Sequence, residues 1–243
     1  MEQDLRDALA QIYTLTATET QKISTQVNEL TKKMENISSY VDDKQKTKYL
    51  NNEFFELNGA DNFVKLKANS FGIGKVLFAF VKFDKITKKK ISDMDVYMDM
   101  EDALLLANDI LSGKLAKEAE NERAKGAQYP GPIWKSPMGG VTEEKAKQRG
   151  LRTDGKAISR MFTLRPGSRQ PFVFTAEQKP GSTNAQGLII PDSGVRPEVQ
   201  IRVASSNEDL KKLALAIQSN INAYRAAQYA LGAYNVDPQI QKK

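Results

Sequence analysis

Cysteine and histidine are both absent from the 243 residues, and tryptophan occurs only once. Without histidine the chain cannot form a Ser-His-Asp triad or a His-ligated zinc site. Without cysteine it has no disulfide, thiol nucleophile or iron–sulfur cluster, which fits a reducing compartment. A metal could still bind to carboxylates, as Mg²⁺ does. We expect a protein that is not an enzyme and that needs no cofactor.

The sequence also lacks long apolar runs. None approaches the roughly 20 residues that a bilayer-spanning helix needs. The first five residues, Met-Glu-Gln-Asp-Leu, are acidic and polar, whereas a signal peptide begins with basic and then apolar residues. The hydrophobic fraction of 40% and the charged fraction of 27% are typical of a globular domain. We therefore expect an intracellular, cytoplasmic protein that has no membrane partner.

The net charge of +6 is unevenly distributed along the chain. Residues 1–50 and 51–113 carry charges of −1 and −2, whereas residues 114–157 and 158–243 carry +4 and +5. The basic excess therefore lies in the second half of the chain. Such an excess indicates a polyanionic partner.

Residues 3–43 contain neither glycine nor proline and predict one long helix. In its second half, apolar residues recur at alternating spacings of four and three, which is the heptad pattern of a coiled coil. These positions are Ile23, Val27, Leu30, Met34, Ile37 and Val41. We expect a homo-oligomer that assembles through them; an amphipathic helix packed on its own domain is the alternative.

Two later segments follow the same order of elements. Each has four strand-like stretches and then a helix, and each passes from an alternating strand through a cap and a Glu-Asp pair into a leucine-rich helix (Asp95–Leu104 and Gln200–Leu210). In the second, Ser205–Asp209 is a strong helix-start signal. The predicted divisions are an N-terminal helix (1–50), a first ββββα repeat (51–125), a Gly/Pro-rich linker (126–157), a second ββββα repeat (158–232) and a C-terminal tail (233–243).

The predicted fold is therefore α+β. Two ββββα repeats form antiparallel sheets with packed helices, after a long coiled-coil-like N-terminal helix. This order, over about residues 53–231, resembles the PUR-repeat, Whirly and PC4-like single-stranded nucleic-acid-binding proteins. The resemblance is one of topology and includes no signature motif. It implies that one face of a β-sheet takes up the strand, while helices cover the other face or form the pairing interface.

The stretch Phe78–Phe83 is rich in aromatic residues. In a strand, Phe78, Phe80 and Lys82 share one face, and Ala79, Val81 and Phe83 share the other. If the second set is core, the first presents a platform on which bases can stack without sequence preference. In the alternative interpretation both faces are covered and Phe78 and Phe80 are buried, as in a central strand.

Neighbouring strands also interleave basic and aromatic residues, which is the composition of a groove for a single strand. The full set of candidate nucleic-acid contacts comprises Phe63, Lys65, Lys67, Phe78, Phe80, Lys82, Arg160, Arg165, Arg169, Phe172, Phe174, Lys179 and Arg202.

These patterns favour non-catalytic, largely sequence-independent binding of single-stranded nucleic acid by an oligomer, with DNA ahead of RNA because of the resemblance. One alternative is a structural or scaffold protein of a virus or mobile element that assembles through the N-terminal helix. Another is a metal-dependent nuclease that uses Asp93, Asp95 and Asp99, with Glu101 and Asp102 following them. Salt-dependent binding of oligonucleotides separates the first reading from the second, and metal-dependent turnover separates the third.

Overall fold

The computed structural model describes residues 21–22, 25–29, 31–32 and 52–231. The chain forms two compact units, Met1–Leu50 and Asn51–Lys243. The described residues of the first unit are helical.

Of the heptad positions in the first unit, Val27 is helical and exposed. The other predicted oligomerisation positions, Ile23, Leu30, Met34, Ile37 and Val41, lie outside the described residues. Assembly through this helix therefore stays a prediction. The C-terminal tail, 233–243, also lies outside the described residues.

The second unit is mixed α+β with antiparallel sheets, as predicted. Its described elements, in chain order, are β1 (Glu53–Asn58), β2 (Asn62–Lys67), a 3₁₀ turn (Phe71–Ile73), β3 (Lys75–Phe83), β4 (Lys90–Asp99), α1 (Met100–Leu111), α2 (Lys114–Ala124), β5 (Trp134–Lys135), β6 (Gly139–Val141), α3 (Glu143–Gln148), β7 (Ala157–Pro166), β8 (Phe172–Thr183), β9 (Ile189–Pro191), β10 (Val199–Ser205) and α4 (Asn207–Ala230). No described helix combines the length and the apolar character needed to cross a bilayer.

Sheet A comprises the strands in the order β1-β2-β3-β4, each antiparallel to the next. Successive side chains of a strand point to opposite faces, so alternate residues are buried. The buried residues of its inner face are Leu57, Val64, Leu66, Val76, Phe78, Phe80, Met94, Val96 and Met98. Ala79, Val81 and Phe83 lie on the outer face.

Sheet B has the order β10-β8-β7-β5. The short strands β5 and β6 pair with successive stretches of the same edge of β7. In the same way, β10 and the short strand β9 pair with successive stretches of the same edge of β8. The predicted linker over residues 126–157 is therefore wrong in part, because β5, β6 and α3 fall within it. Strands of two and three residues are too short to show any periodicity.

The inner faces of the two sheets share one core with α1, α2 and α4. Phe162 of β7 is fully buried within it. Its ring centroid lies 4.9 Å from that of Phe78, 5.5 Å from that of Phe80 and 5.9 Å from that of Phe174. The single tryptophan, Trp134, packs on the same ring at 5.2 Å. Aromatic clusters of this kind supply a large share of the buried apolar area of a core.

Local signals place the helix ends. The hydroxyl oxygen of Ser206 accepts a hydrogen bond from the Asp209 backbone N–H at 3.1 Å, which confirms the predicted cap of α4. Gly113, at φ +78°, separates α1 from α2. Asp99 precedes α1, but its carboxylate accepts from Lys75 at 2.7 Å and makes no hydrogen bond to the helix.

Replacing Gly140 with alanine should destabilise the edge of sheet B. Gly140 has a φ of +145°, and a Cβ atom there would lie 1.8 Å from the Ile158 carbonyl oxygen. Such a backbone conformation costs a side-chain-bearing residue about 1–3 kcal/mol, and the overlap adds to this cost. We expect the free energy of unfolding, measured with denaturant, to fall by about 2 kcal/mol or more.

Gly72 is the matched control, because its φ lies outside the left-handed region and no heavy atom would approach its Cβ within 4 Å. Gly72→Ala should change the free energy of unfolding by less than about 0.5 kcal/mol. Equal losses in the two variants would contradict the close approach of β6 to β7.

Candidate nucleic-acid interface

The four phenylalanines at the centre of the predicted binding set are buried. Phe78, Phe80 and Phe174 have an exposed fraction of 0%, and Phe172 of 2%. A ring enclosed by protein cannot stack on a base, so these four residues are excluded as contacts in the folded protein. The alternative interpretation of β3 is correct in that Phe78 and Phe80 are buried, because their rings pack on Phe162 of sheet B. The opposite face is not fully covered, since Val81 and Phe83 are only half-buried.

The outer face of sheet A is acidic. Five carboxylates and four lysines lie at outer-face register positions: Glu53, Glu56, Asp93, Asp95 and Asp99, and Lys65, Lys67, Lys75 and Lys90. This excess of carboxylates disfavours the approach of a polyanion.

The lysines of this face are held in ion pairs. Lys65 Nζ lies 2.9 Å from Glu53 and 3.1 Å from Glu56, and Lys67 Nζ lies 3.2 Å from Glu53. Desolvation favours a higher pKa for Glu53, but the hydrogen bonds from Lys65 and Lys67, with their charges, together outweigh it and lower this pKa. The predicted contacts Lys65 and Lys67 are therefore already neutralised by the neighbouring strand.

The remaining predicted contacts of sheet A are dispersed. Phe63 is half-buried on the outer face, 6.1 Å from the Phe83 ring, and Lys65 Nζ lies 5.2 Å from its centroid. Lys82 shares the parity of Phe80 and lies near the end of β3. The structure does not bring these residues together into a basic surface.

The outer face of sheet B contrasts with this arrangement. Lys135 pairs in register with Thr163, Thr163 with Thr175, and Thr175 with Arg202. These pairs form one row across β5, β7, β8 and β10. At a strand spacing of about 4.8 Å, the backbones of Lys135 and Arg202 lie about 14 Å apart. The two threonines between them are short and nearly covered, whereas both cations are exposed.

Arg165 adds a third cation beside this row. It pairs in register with Val173, and Val173 pairs with Ala204. Its Nη1 donates to the Pro130 carbonyl oxygen at 3.4 Å. Among the described residues, none of Lys135, Arg165 and Arg202 forms an ion pair with a carboxylate. We call Lys135, Arg165 and Arg202 the cationic face of sheet B.

One carboxylate lies on the same face. Glu177 is 3.6 Å from Lys179 Nζ and accepts from Gln200 at 2.7 Å, so it is occupied by its neighbours. Of the predicted contacts of the second half, Arg165, Lys179 and Arg202 share this face, but Lys179 pairs with Ser159, six residues along β7 from Arg165, and so lies away from the other two. Arg169 is exposed in the turn between β7 and β8, and Arg160 has the inner-face parity of Phe162.

Two residues of this region were missed by sequence reasoning. Lys135 fell within the predicted linker, although its pairing with Thr163 places it on the sheet. Tyr129 is 80% exposed and directly precedes Pro130, whose carbonyl accepts from Arg165. An aromatic residue with no other large apolar side chain beside it, as in Ala127-Gln128-Tyr129-Pro130, is the signal that could have found it.

Two of the three aspartates proposed for a nuclease site form ion pairs with neighbouring lysines. Asp93 lies 3.0 Å from Lys90 Nζ, and Asp99 lies 2.7 Å from Lys75 Nζ. Over the described ranges, no three or more Asp or Glu side chains converge in a way that could hold a metal ion. The nuclease alternative gains no support from this part of the chain.

The carboxylate of Glu143 anchors α3 to the far end of sheet B. It accepts from the Thr183 backbone N–H at 2.7 Å and from the Thr183 hydroxyl at 2.6 Å. These hydrogen bonds, that of the hydroxyl first, hold the pKa of Glu143 below its ordinary value of 4.5. The pKa of Glu143 is lower in the folded than in the unfolded protein. The contact therefore contributes its full stabilisation above the unfolded-state pKa, and this stabilisation is lost as the pH falls through the folded-state pKa.

This anchor predicts the titration of Glu143. In a carbon-detected NMR titration, the side-chain carboxyl should have its midpoint below 4.5 in the unmodified protein. Thr183→Val removes the hydroxyl donor with little change of shape, so the midpoint should rise towards the ordinary value. A midpoint that is the same in both proteins would show that Thr183 does not hold this carboxylate.

Comparison with known proteins gives no relative: no family model matches the chain, and neither does a curated protein or a solved structure. The geometry and charge of the described residues therefore carry the functional conclusion.

Proposed function

We propose that the protein binds single-stranded nucleic acid without catalysis, largely independently of sequence, on the cationic face of sheet B. The observation that carries this proposal is the row of Lys135, Thr163, Thr175 and Arg202, joined by Arg165. Cations that lack a carboxylate partner are available to neutralise phosphates and to release their counterions.

The contrast between the two sheets supports the choice of face. Lysines on the outer face of sheet A are paired with neighbouring carboxylates, whereas Lys135, Arg165 and Arg202 of sheet B have no such pairs. The charge of the second half of the chain, +4 over residues 114–157 and +5 over residues 158–243, acts in the same direction.

Tyr129 supports a preference for single strands. Its exposed ring lies next in sequence to Pro130, which contacts Arg165. Unpaired bases offer free faces for stacking, whereas the bases of a duplex are stacked on each other. The charged side chains of this face suit contacts with the phosphate backbone of the nucleic acid, and such contacts carry little sequence information. DNA is preferred to RNA through the resemblance to the PUR-repeat, Whirly and PC4-like proteins.

We also propose that the second unit contains a ββββα repeat twice. Sheet A runs through its four strands in chain order and then enters α1. In sheet B, β5 and β6 lie along the same side of β7, and β9 and β10 lie along the same side of β8. If each of these pairs is one interrupted strand, sheet B has the same order and enters α4. The N-terminal heptads would then join such units into a homo-oligomer.

Fluorescence anisotropy tests the proposed function. Labelled single-stranded and double-stranded DNA and RNA are titrated at two salt concentrations. We expect tighter binding to single strands, with log K falling by about 0.7 per phosphate contact for each tenfold rise in salt. Tyr129→Ala should cost about 1–3 kcal/mol of single-strand affinity if the ring stacks on one base. Binding that is as tight to a duplex, or no binding at all, would contradict the proposal.

A further inference from the structure

A cleft of about 610 Å³ lies between sheet A and the far end of sheet B. One wall is β4 with the start of β3, and the other comprises β6, α3 and the start of β9. Cavities of about 300–1,000 Å³ are the usual size of small-molecule sites. None of the three residues of the cationic face lines this cleft.

Three cations line the cleft without a carboxylate partner among the described residues. They are Lys145 on α3, Arg149 directly after α3 and Arg160 on β7. Arg160 is half-buried, and its Nε donates to Gln178 Oε1 at 2.9 Å, which holds the guanidinium in place. A fourth cation, Lys75, is neutralised by Asp99 at 2.7 Å. The unpaired positive charge favours an anionic ligand.

Apolar side chains converge on the same cleft. Tyr97, Met138 and Leu188 all line it, and each is about half exposed, at 48%, 53% and 50%. They come from β4, from the segment between β5 and β6, and from the segment just before β9. A tyrosine ring flanked by apolar side chains suits a flat heterocycle.

The cleft also contains a polar group that could orient such a ligand. Asp95 is half-buried, and within the described part of the chain its carboxylate forms no ion pair. Its oxygens can accept hydrogen bonds from an amino group of a base or from a sugar hydroxyl. On the opposite wall, Gly139 and Gly140 carry no side chain, and the φ of +145° at Gly140 keeps that position without one.

We propose that this cleft binds one nucleoside monophosphate unit. Its phosphate would lie against Arg149, Arg160 and Lys145, and its base against Tyr97, with Asp95 as an acceptor. Two sources supply this chemistry, namely a free nucleotide and one nucleotide of a bound strand; the second rests on the proposed function. Lys135 on the cationic face and Met138 in the cleft are three residues apart on one edge of sheet B, so a strand could pass from one site to the other.

Isothermal titration of the full chain with 2′-deoxyadenosine 5′-monophosphate tests the proposal. Deoxyadenosine and inorganic phosphate are titrated separately. Because the base and the phosphate contact different parts of the cleft, the nucleotide should bind at least tenfold more tightly than either of them. A nucleotide that binds no more tightly than inorganic phosphate would overturn the proposal.

Variants locate the nucleotide. Arg149→Gln and Tyr97→Ala change exposed side chains, so both should keep the melting temperature of the parent. Each should weaken binding of the nucleotide at least fivefold. The double variant Lys85→Gln with Lys211→Gln removes two exposed charges outside the cleft and is the control, so its affinity for the nucleotide should equal that of the parent. Full nucleotide affinity in both cleft variants would overturn the proposal, whatever strand binding shows.

Competition with a single-stranded oligonucleotide separates the two sources. If the strand displaces the nucleotide, the cleft belongs to the path of the strand. If the nucleotide stays bound in the presence of saturating strand, its ligand is a free nucleotide. If the oligonucleotide does not bind at all, the proposed function is wrong. The titration with the nucleotide would still test whether the cleft binds a nucleotide.

Discussion

Phe162→Ala should lower the free energy of unfolding by about 3–5 kcal/mol, through lost burial and the cavity left behind. Phe162 is fully buried, and its ring packs on Phe78, Phe80, Trp134 and Phe174. Denaturant unfolding measures the loss. The same side chain faces away from the cationic face of sheet B, so affinity for a single strand per folded molecule should not change.

Phe83→Ala provides the matched control for this core prediction. It removes the same ring from a half-buried position on the outer face of sheet A. We expect a loss of about 1 kcal/mol, because much less area and no closed cavity are involved. Equal losses in the two variants, or a loss of affinity in a Phe162 variant of unchanged stability, would mean that the described core is wrong.

The combined variant Lys135→Gln, Arg165→Gln, Arg202→Gln should bind single strands on the order of 100-fold more weakly at 0.1 M salt. Each lost phosphate contact removes about 0.7 from the slope of log K against log[salt], so the slope should become shallower by about 2. Anisotropy titrations over a range of salt concentrations measure both quantities. All three side chains lie at the surface of sheet B, so the melting temperature should change little.

A second triple variant removes the same charge from the other sheet. Lys65→Gln, Lys67→Gln, Lys75→Gln abolishes the ion pairs with Glu53, Glu56 and Asp99. Because these lysines are already neutralised, we expect affinity to fall by less than about threefold and the slope to stay the same. Similar losses in the two triple variants would show that net charge, rather than the cationic face, governs binding.

The strand β3 shows what the sequence could and could not predict. Alternation places Phe78 and Phe80 together and Ala79 and Val81 opposite them, and the structure confirms this division. Alternation does not say which face meets the core when both faces are apolar. The choice depends on Phe162, which lies about 80 residues further along the chain and packs on both rings.

The loss of Lys65 and Lys67 as contacts has a different cause. Their partners lie on β1, where the register shifts between Glu53 and Phe55. A register with an irregularity of this kind cannot be read from hydrophobic periodicity, because a slip of one residue exchanges the two faces of a strand. The spacing of the lysines predicted their shared face but could not predict that acidic side chains would occupy it beside them.

A local helix cap could be predicted from the sequence, whereas a very short strand could not. A helix cap was predicted within Ser205–Asp209, and Ser206 provides it through a hydrogen bond to Asp209 that spans only three residues. Lys135 was missed because β5 has two residues, and its position is set by pairing with Leu164 and Thr163. The cap signal before α4 was confirmed, whereas Asp99 before α1 binds Lys75 instead of the helix, and the position of Lys135 needed a distant strand.

Photocrosslinking locates the bound strand most directly. A single strand that carries 5-iododeoxyuridine is irradiated with the full chain, and the modified peptides are identified by mass spectrometry. The proposed site predicts crosslinks at Tyr129 and Met161, beside the cationic face of sheet B. Crosslinks confined to Phe63 and Phe83, on the outer face of sheet A, would contradict it.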